Sequence, residues 1–136
     1  MSGVDIVVGF IPTAEGWAAI HSAAREAMAA QGGRLVVVNS SHGDAPSDRR
    51  RAQEADVERL HETLGCLGVK YEFEQPVRRR DAAAEILETA QTRSANRIVI
   101  GVRRRTPVGK LILGSTAQQV ILGADCPVLA VKPVSG

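Results

Sequence analysis

The chain has 136 residues, 44% of them apolar, with 17 Lys and Arg against 15 Asp and Glu for a net charge of +2. That length holds one hydrophobic core and not two of ordinary size, and a charge so close to balance argues against wholesale nucleic-acid binding. No apolar run is long enough to span a bilayer and the N-terminus lacks the basic-then-apolar layout of a signal peptide, so the expected compartment is the cytoplasm.

Asp5 to Phe10 opens with the apolar run Ile6, Val7, Val8, the mark of a strand buried on both faces. Pro12 and Thr13 start a helix that runs to about Ala30, with Ile20, Ala23, Ala24, Ala27 and Met28 on its inward stripe and Gly32-Gly33 as its stop. A second strand follows at Leu35 to Val38. After a polar loop from Asn39 to Asp48, a second helix carries Val57, Leu60, Leu64 and Leu67 at steps of three and four and ends at Gly68. Lys70 to Gln75 alternates charged residues with Tyr71 and Phe73, as a strand at a sheet edge does. Asp81 reads as the N-cap of a third helix whose Ala83, Ile86, Leu87 and Ala90 face inward. Arg97 to Ile100 is the fourth strand. The fourth helix runs from Ser115 to about Leu122, and Ser115 with Gln118 has the spacing of a capping box. Pro127 to Val131 is the fifth strand. Strands alternating with helices give an open, doubly wound α/β domain, Rossmann-like, with a parallel sheet covered on both faces.

Ligands of such folds bind outside the carboxyl ends of the strands, where the strand order reverses. That rim carries Ile11-Pro12-Thr13 after the first strand, Asn39-Ser40-Ser41-His42 after the second, Arg78 to Arg80 after the third and Arg103 to Arg105 after the fourth. The segment from Gly101 to Thr116 joins strand to helix through glycines and hydroxyls, so unpaired backbone N–H groups at the helix start face the rim and attract anions, phosphate above all. Guanidinium forks match phosphate geometry, and the rim therefore reads as a receiver of anions. A third triplet, Arg49 to Arg51, begins the second helix and reads as a solvated face.

With Gly101, Gly114, Ser115 and the closing Asp125-Cys126-Pro127-Val-Leu-Ala-Val in view, the chain resembles the universal stress protein family over essentially its whole length. The resemblance implies a five-stranded parallel sheet in the order 3-2-1-4-5, usually in a homodimer; in that order the uncharged Pro127 to Val131 would be an unprotected apolar edge, so the dimer is expected to join through it. It also implies a G-x2-G-x9-G-[ST] segment after strand four that cradles the phosphates of ATP, and an Asp after strand one at the adenine and ribose end. Gly101, Gly114 and Ser115 match; Arg104 stands where the middle glycine belongs, and Ile11 stands where the Asp belongs. The residues expected around ATP or another adenine nucleotide are then Gly101, Arg103, Arg104, Gly114, Ser115, Thr116, Ile11 and Val38. Two outcomes are open: Arg104 pairs with phosphate through its side chain, or Arg104 and Ile11 close the site and leave a protein-interaction scaffold.

Other classes have less behind them. His21 and His61 fall inside helices, His42 has only Asp44 nearby, no serine sits in GxSxG, and Gly109-Lys110 lacks the first glycine and the hydroxyl of a P-loop, so no catalytic role is expected. Cys66 and Cys126 have no metal-ligand spacing, which leaves no expected metal or disulfide and two small side chains expected to be buried. Tyr71, Phe73, Phe10 and Trp17 are too few for a nucleic-acid stacking surface, and Phe10 and Trp17 read as core. Neither nucleic acid nor membrane is an expected partner.

Overall fold

The structure, a computed structural model, describes residues 3–39, 52–76, 81–103 and 113–133. It contains β1 (Asp5–Gly9), α1 (Ala14–Ala29), β2 (Arg34–Val38), α2 (Glu54–Leu67), β3 (Lys70–Glu74), α3 (Ala82–Thr92), β4 (Arg97–Gly101), α4 (Ser115–Gly123) and β5 (Val128–Val131). All five strands pair in parallel, in the order β3-β2-β1-β4-β5. That is the expected architecture.

The period of two along each strand divides the core. Ile6, Val8, Leu35, Val37 and Val99 face one side, where they meet Ile20, Ala23, Ala24 and Ala27 of α1 and Leu60 and Leu64 of α2. Val7, Val36, Val38, Ile98 and Ile100 face the other, against Ala83, Ile86 and Ala90 of α3 and Ala117 and Val120 of α4. The alanines of α1 let that helix lie close on β1 and β4. α2 is held by less: Leu60 and Leu64 are fully buried, and truncating either to alanine leaves a cavity that costs about 2–5 kcal/mol.

Three helix starts are satisfied by side chains. Thr13 Oγ1 accepts the Gly16 N–H at 3.1 Å, Asp81 Oδ1 accepts the Ala84 N–H at 2.8 Å as expected, and Asp56 Oδ2 reaches back to the Gln53 N–H at 2.9 Å. Gly68 closes α2 in the left-handed region at φ 75°.

The start of α4 differs from the expectation. Its N-cap is Gly114, whose carbonyl accepts the Gln118 N–H at 3.1 Å, so Ser115 already lies inside the helix and makes no capping box with Gln118. The serine stands one position too late for its hydroxyl to reach the first-turn donors. Met28 is 53% exposed because the stripe through Ile20, Ala24 and Ala27 turns it outward near the end of α1. Cys66 is exposed beside the last turn of α2 and Cys126 is only half-buried, so neither is the buried residue expected; Leu67, also at the end of α2, is exposed as well. α1 ends at Ala29 with Ala30 as its C-cap, and Gly32 takes the left-handed φ of 69° in the turn that follows.

β3 is an edge, but its polar face is not simply wet. Glu72 takes a two-pronged contact from Arg93, at 3.0 and 2.8 Å, and a further ion pair from Arg34 at 3.0 Å, while Glu74 meets Arg93 at 2.7 Å. The Arg93 hydrogen bond holds the Glu72 carboxyl below the usual carboxylate range, against the opposing effect of burial and with further help from the charges of Arg93 and Arg34.

Candidate functional site

β1 lies between β2 and β4, so the strand order reverses at β1, and the crevice between the carboxyl ends of β1 and β4 is the place where this fold takes ligands. A cleft of about 330 Å³ opens there. Ile11 and Val38 line it from the ends of β1 and β2, Gly101 and Arg103 from the end of β4, and Gly114, Ser115 and Thr116 from the start of α4. The fold thus brings together every expected ligand residue within the described part of the chain; Arg104 lies outside the described residues, as do Arg105, Arg49 to Arg51, Arg78 to Arg80, His42 and Asp44.

Two glycines set how closely the walls approach. A Cβ on Gly101 would run into the carbonyl oxygen of Glu15, and a Cβ on Gly16 would run into the carbonyl oxygen of Ile11. The first turn of α1 therefore presses directly on the end of β4, and Gly101 has a packing reason to be glycine whatever occupies the cleft. That contact brings Glu15 into the site. Its side chain is only 15% exposed, and its Oε2 lies 3.9 Å from Nε of Arg103, whose own side chain is 81% exposed. The separation is an ion pair but too long for a hydrogen bond.

The opposite wall is the first turn of α4. Gly114 has the extended N-cap backbone, φ −65° and ψ 163°, and among the described residues no side chain caps the helix. Its leading N–H groups are donors at the positive end of the helix dipole. Ser115 is exposed and Thr116 half-exposed beside them, with Ala117 buried beneath. The wall offers hydroxyls and amides; the rim offers a guanidinium.

Asn39, which the sequence places on the same rim, has a different task. It is 1% exposed; its Nδ2 donates to the Phe10 carbonyl at 2.9 Å, and its Oδ1 accepts from the Ala52 N–H and from Gln75 Nε2, both at 2.9 Å. It ties the ends of β1, β2 and β3 together. Trp17 packs edge-to-face on Phe10 with ring centres 4.8 Å apart and carries the Arg59 guanidinium at 4.1 Å, so its ring belongs to the core, as expected. His61 is engaged by the Tyr71 hydroxyl. Burial, with the neighbouring charge of Asp125, pushes the Cys126 thiol up, away from the thiolate that a nucleophile needs. Among the described residues no group of three or more His, Cys, Asp or Glu is placed to hold a metal ion, and no helix is long and apolar enough to cross a membrane.

A second cleft of about 340 Å³ opens at the other rim, before β4 and β5. Its charged lining residue is Asp125, which repels anions, and among the described residues no helix N-terminus faces it. Comparable volume does not make it a comparable site.

Sequence comparison places the chain among known proteins. It is 43% identical to a universal stress protein of Mycolicibacterium smegmatis over 128 residues, which is 94% of this chain and 97% of that protein. Among solved structures, it is similar to a universal stress protein from Archaeoglobus fulgidus, with a TM-score of 0.76 and 29% identity over 97% of this chain and 100% of the other. An Archaeoglobus fulgidus universal stress protein in complex with dAMP is similar at a TM-score of 0.71 and 26% identity, over 97% and 100% of the two chains. The profile of the universal stress protein family matches residues 5–132, and the chain belongs to that family.

Proposed function

We propose that the cleft between β1 and β4 binds an adenine nucleotide or a similarly phosphorylated small molecule, and that the protein acts through it as a regulatory cytoplasmic dimer in the stress response rather than as a catalyst. The observation that carries this reading is the uncapped start of α4 forming one wall of a cleft at the strand-order reversal. An oxyanion there would receive the free N–H groups of the first turn, the Ser115 and Thr116 hydroxyls and the Arg103 guanidinium. Ile11 and Val38 would lie against the base, through apolar contact alone at Ile11. A volume of about 330 Å³ is near the lower end of the roughly 300–1,000 Å³ range of small-molecule sites. The dAMP-bound relative supports the same ligand class. Arg104, which neighbours Arg103 in the sequence, is assigned to phosphate pairing on sequence grounds alone.

The dimer part of the reading rests on β5. It pairs with β4 at the end of the sheet order, and Leu129 is 36% exposed on it. Ile121 and Leu122 of α4 are 43% and 85% exposed. An apolar, unprotected edge is what a sheet normally hides by pairing.

Native mass spectrometry of freshly purified protein, followed by calorimetric titration with ATP, AMP and cyclic AMP, tests the reading. A co-purified nucleotide, or saturable binding of one of the three, is the expected result. If none binds, the cleft is not a nucleotide site and a scaffold closed by Arg104 and Ile11 takes its place.

A further inference from the structure

We infer that Glu15 determines which ligands this cleft accepts, its carboxylate taking hydrogen bonds from the sugar hydroxyls of the bound nucleotide. The inference rests on the proposed nucleotide site and deepens it. Among the described lining residues Glu15 is the one carboxylate, and every other polar side chain there carries a donor, Arg103 and the Ser115 and Thr116 hydroxyls, beside the N–H groups of α4. Those donors suit phosphate. A carboxylate repels phosphate, and among the described residues the nearest cation to this one, whose side chain is only 15% exposed, stands 3.9 Å away, beyond hydrogen-bond reach. Its oxygens are open to donors that a ligand brings in place of water.

In a nucleotide the donors next to the phosphate are the sugar hydroxyls, and position selects them over the base amino group. Arg103, on the phosphate side, and Glu15 are within 3.9 Å of each other, so whatever touches Glu15 is only a few bonds from whatever touches Arg103. The sugar bears the phosphate directly. The base end, in contrast, is set by Ile11 and Val38, which offer apolar surface. Glu15 also stands in the first turn of α1, where any carboxylate favours the helix dipole. That role concerns the fold alone and is blind to the sugar, which is how the two are separated.

The experiment titrates AMP and 2′,3′-dideoxy-AMP into wild type, Glu15→Gln and Glu15→Ala, with thermal unfolding recorded for each. The wild type is expected to prefer AMP by about tenfold or more, the range for hydrogen bonds to a charged acceptor. Glu15→Ala should lower AMP affinity by that factor and leave dideoxy-AMP affinity unchanged or higher, so that the preference collapses to about twofold; Glu15→Gln, which keeps shape and one acceptor but not the charge, should fall between and carries the test if the alanine variant does not fold. A preference that survives in both variants, or a wild type that binds both ligands equally, overturns the inference and leaves the nucleotide site standing. A wild type that binds neither overturns the site and the inference together.

Discussion

Replacing Gly114 by aspartate separates stability from function at the start of α4. Gly114 sits at φ −65° and ψ 163°, and Asp81, which caps α3, sits at φ −70° and ψ 163°. The two backbones are interchangeable, and among the described residues a Cβ on Gly114 would meet nothing within 4 Å. An aspartate there should accept the Ala117 N–H as Asp81 accepts that of Ala84. An Asp cap over a Gly cap is worth a few tenths of a kcal/mol, and a carboxylate at the positive end of the helix adds about 0.3–1 kcal/mol. The sum, roughly 0.5–1.5 kcal/mol, corresponds to a rise in Tm of about 2–5 °C for a domain of this size. The same carboxylate occupies the amides that phosphate needs and repels the phosphate itself. Losing one charge-assisted hydrogen bond costs about 1.5–3 kcal/mol, or at least tenfold in Kd. Gly114→Asp is therefore expected to melt higher and bind AMP more weakly, read by thermal unfolding and calorimetry on one preparation. Ser115→Ala is the control: inside the helix rather than capping it, Ser115 should contribute no more than about 0.5 kcal/mol to stability. A Gly114→Asp protein that melts higher and binds AMP unchanged would refute the placement of phosphate at α4, and one that melts lower would refute the cap geometry.

Gly101→Ala forces a Cβ against the Glu15 carbonyl, and because that obstacle is backbone the variant should lose about 1–3 kcal/mol in denaturant unfolding; an unchanged midpoint would mean that α1 does not press on β4. Leu129→Lys puts a charge on the exposed edge strand and should convert a dimer to a monomer in sedimentation, whereas a wild type already monomeric at micromolar concentration would end the dimer reading. Glu72 has its folded pKa depressed, chiefly by the Arg93 hydrogen bond, so its contribution is complete above the unfolded carboxylate value near 4.5 and is lost as pH falls through the lower folded value. Glu72→Gln should accordingly cost up to about 1 kcal/mol at pH 7, a figure limited by the 40% exposure of the side chain, and the gap to wild type should close in acid; a gap independent of pH would assign the loss to something other than the ion pair.

The central strands were legible because they bury both faces: Ile6-Val7-Val8 and Leu35 to Val38 are apolar at every position, which only a covered parallel strand requires, while β3 was legible from its alternation. The helix ends were less so. Met28 and Leu67 keep the apolar character of their stripes, yet both are exposed, and sequence periodicity has no term for where packed neighbours stop. At α4 the preference of serine for N-cap positions suggested a cap at Ser115, while the chain sets the cap one residue earlier, at a glycine that supplies no side chain.

The site divides in the same way. Ile11, Val38, Gly101, Arg103, Gly114, Ser115 and Thr116 could be gathered from the rule that ligands meet the carboxyl ends of strands, because that rule needs only strand order and loop position. Glu15 could not, since an acid in a first helical turn has a sufficient local explanation in the helix dipole. Asn39, placed on the rim by the sequence and given no ligand role there, is used in holding three strand ends. Both roles stayed out of the sequence's reach for one reason, which is that a side chain's partners are set by contacts between distant segments. The Gly101 contact that brings α1 onto β4 is the same contact that brings Glu15 to Arg103, so one missing Cβ both closes the packing and gives the cleft its carboxylate.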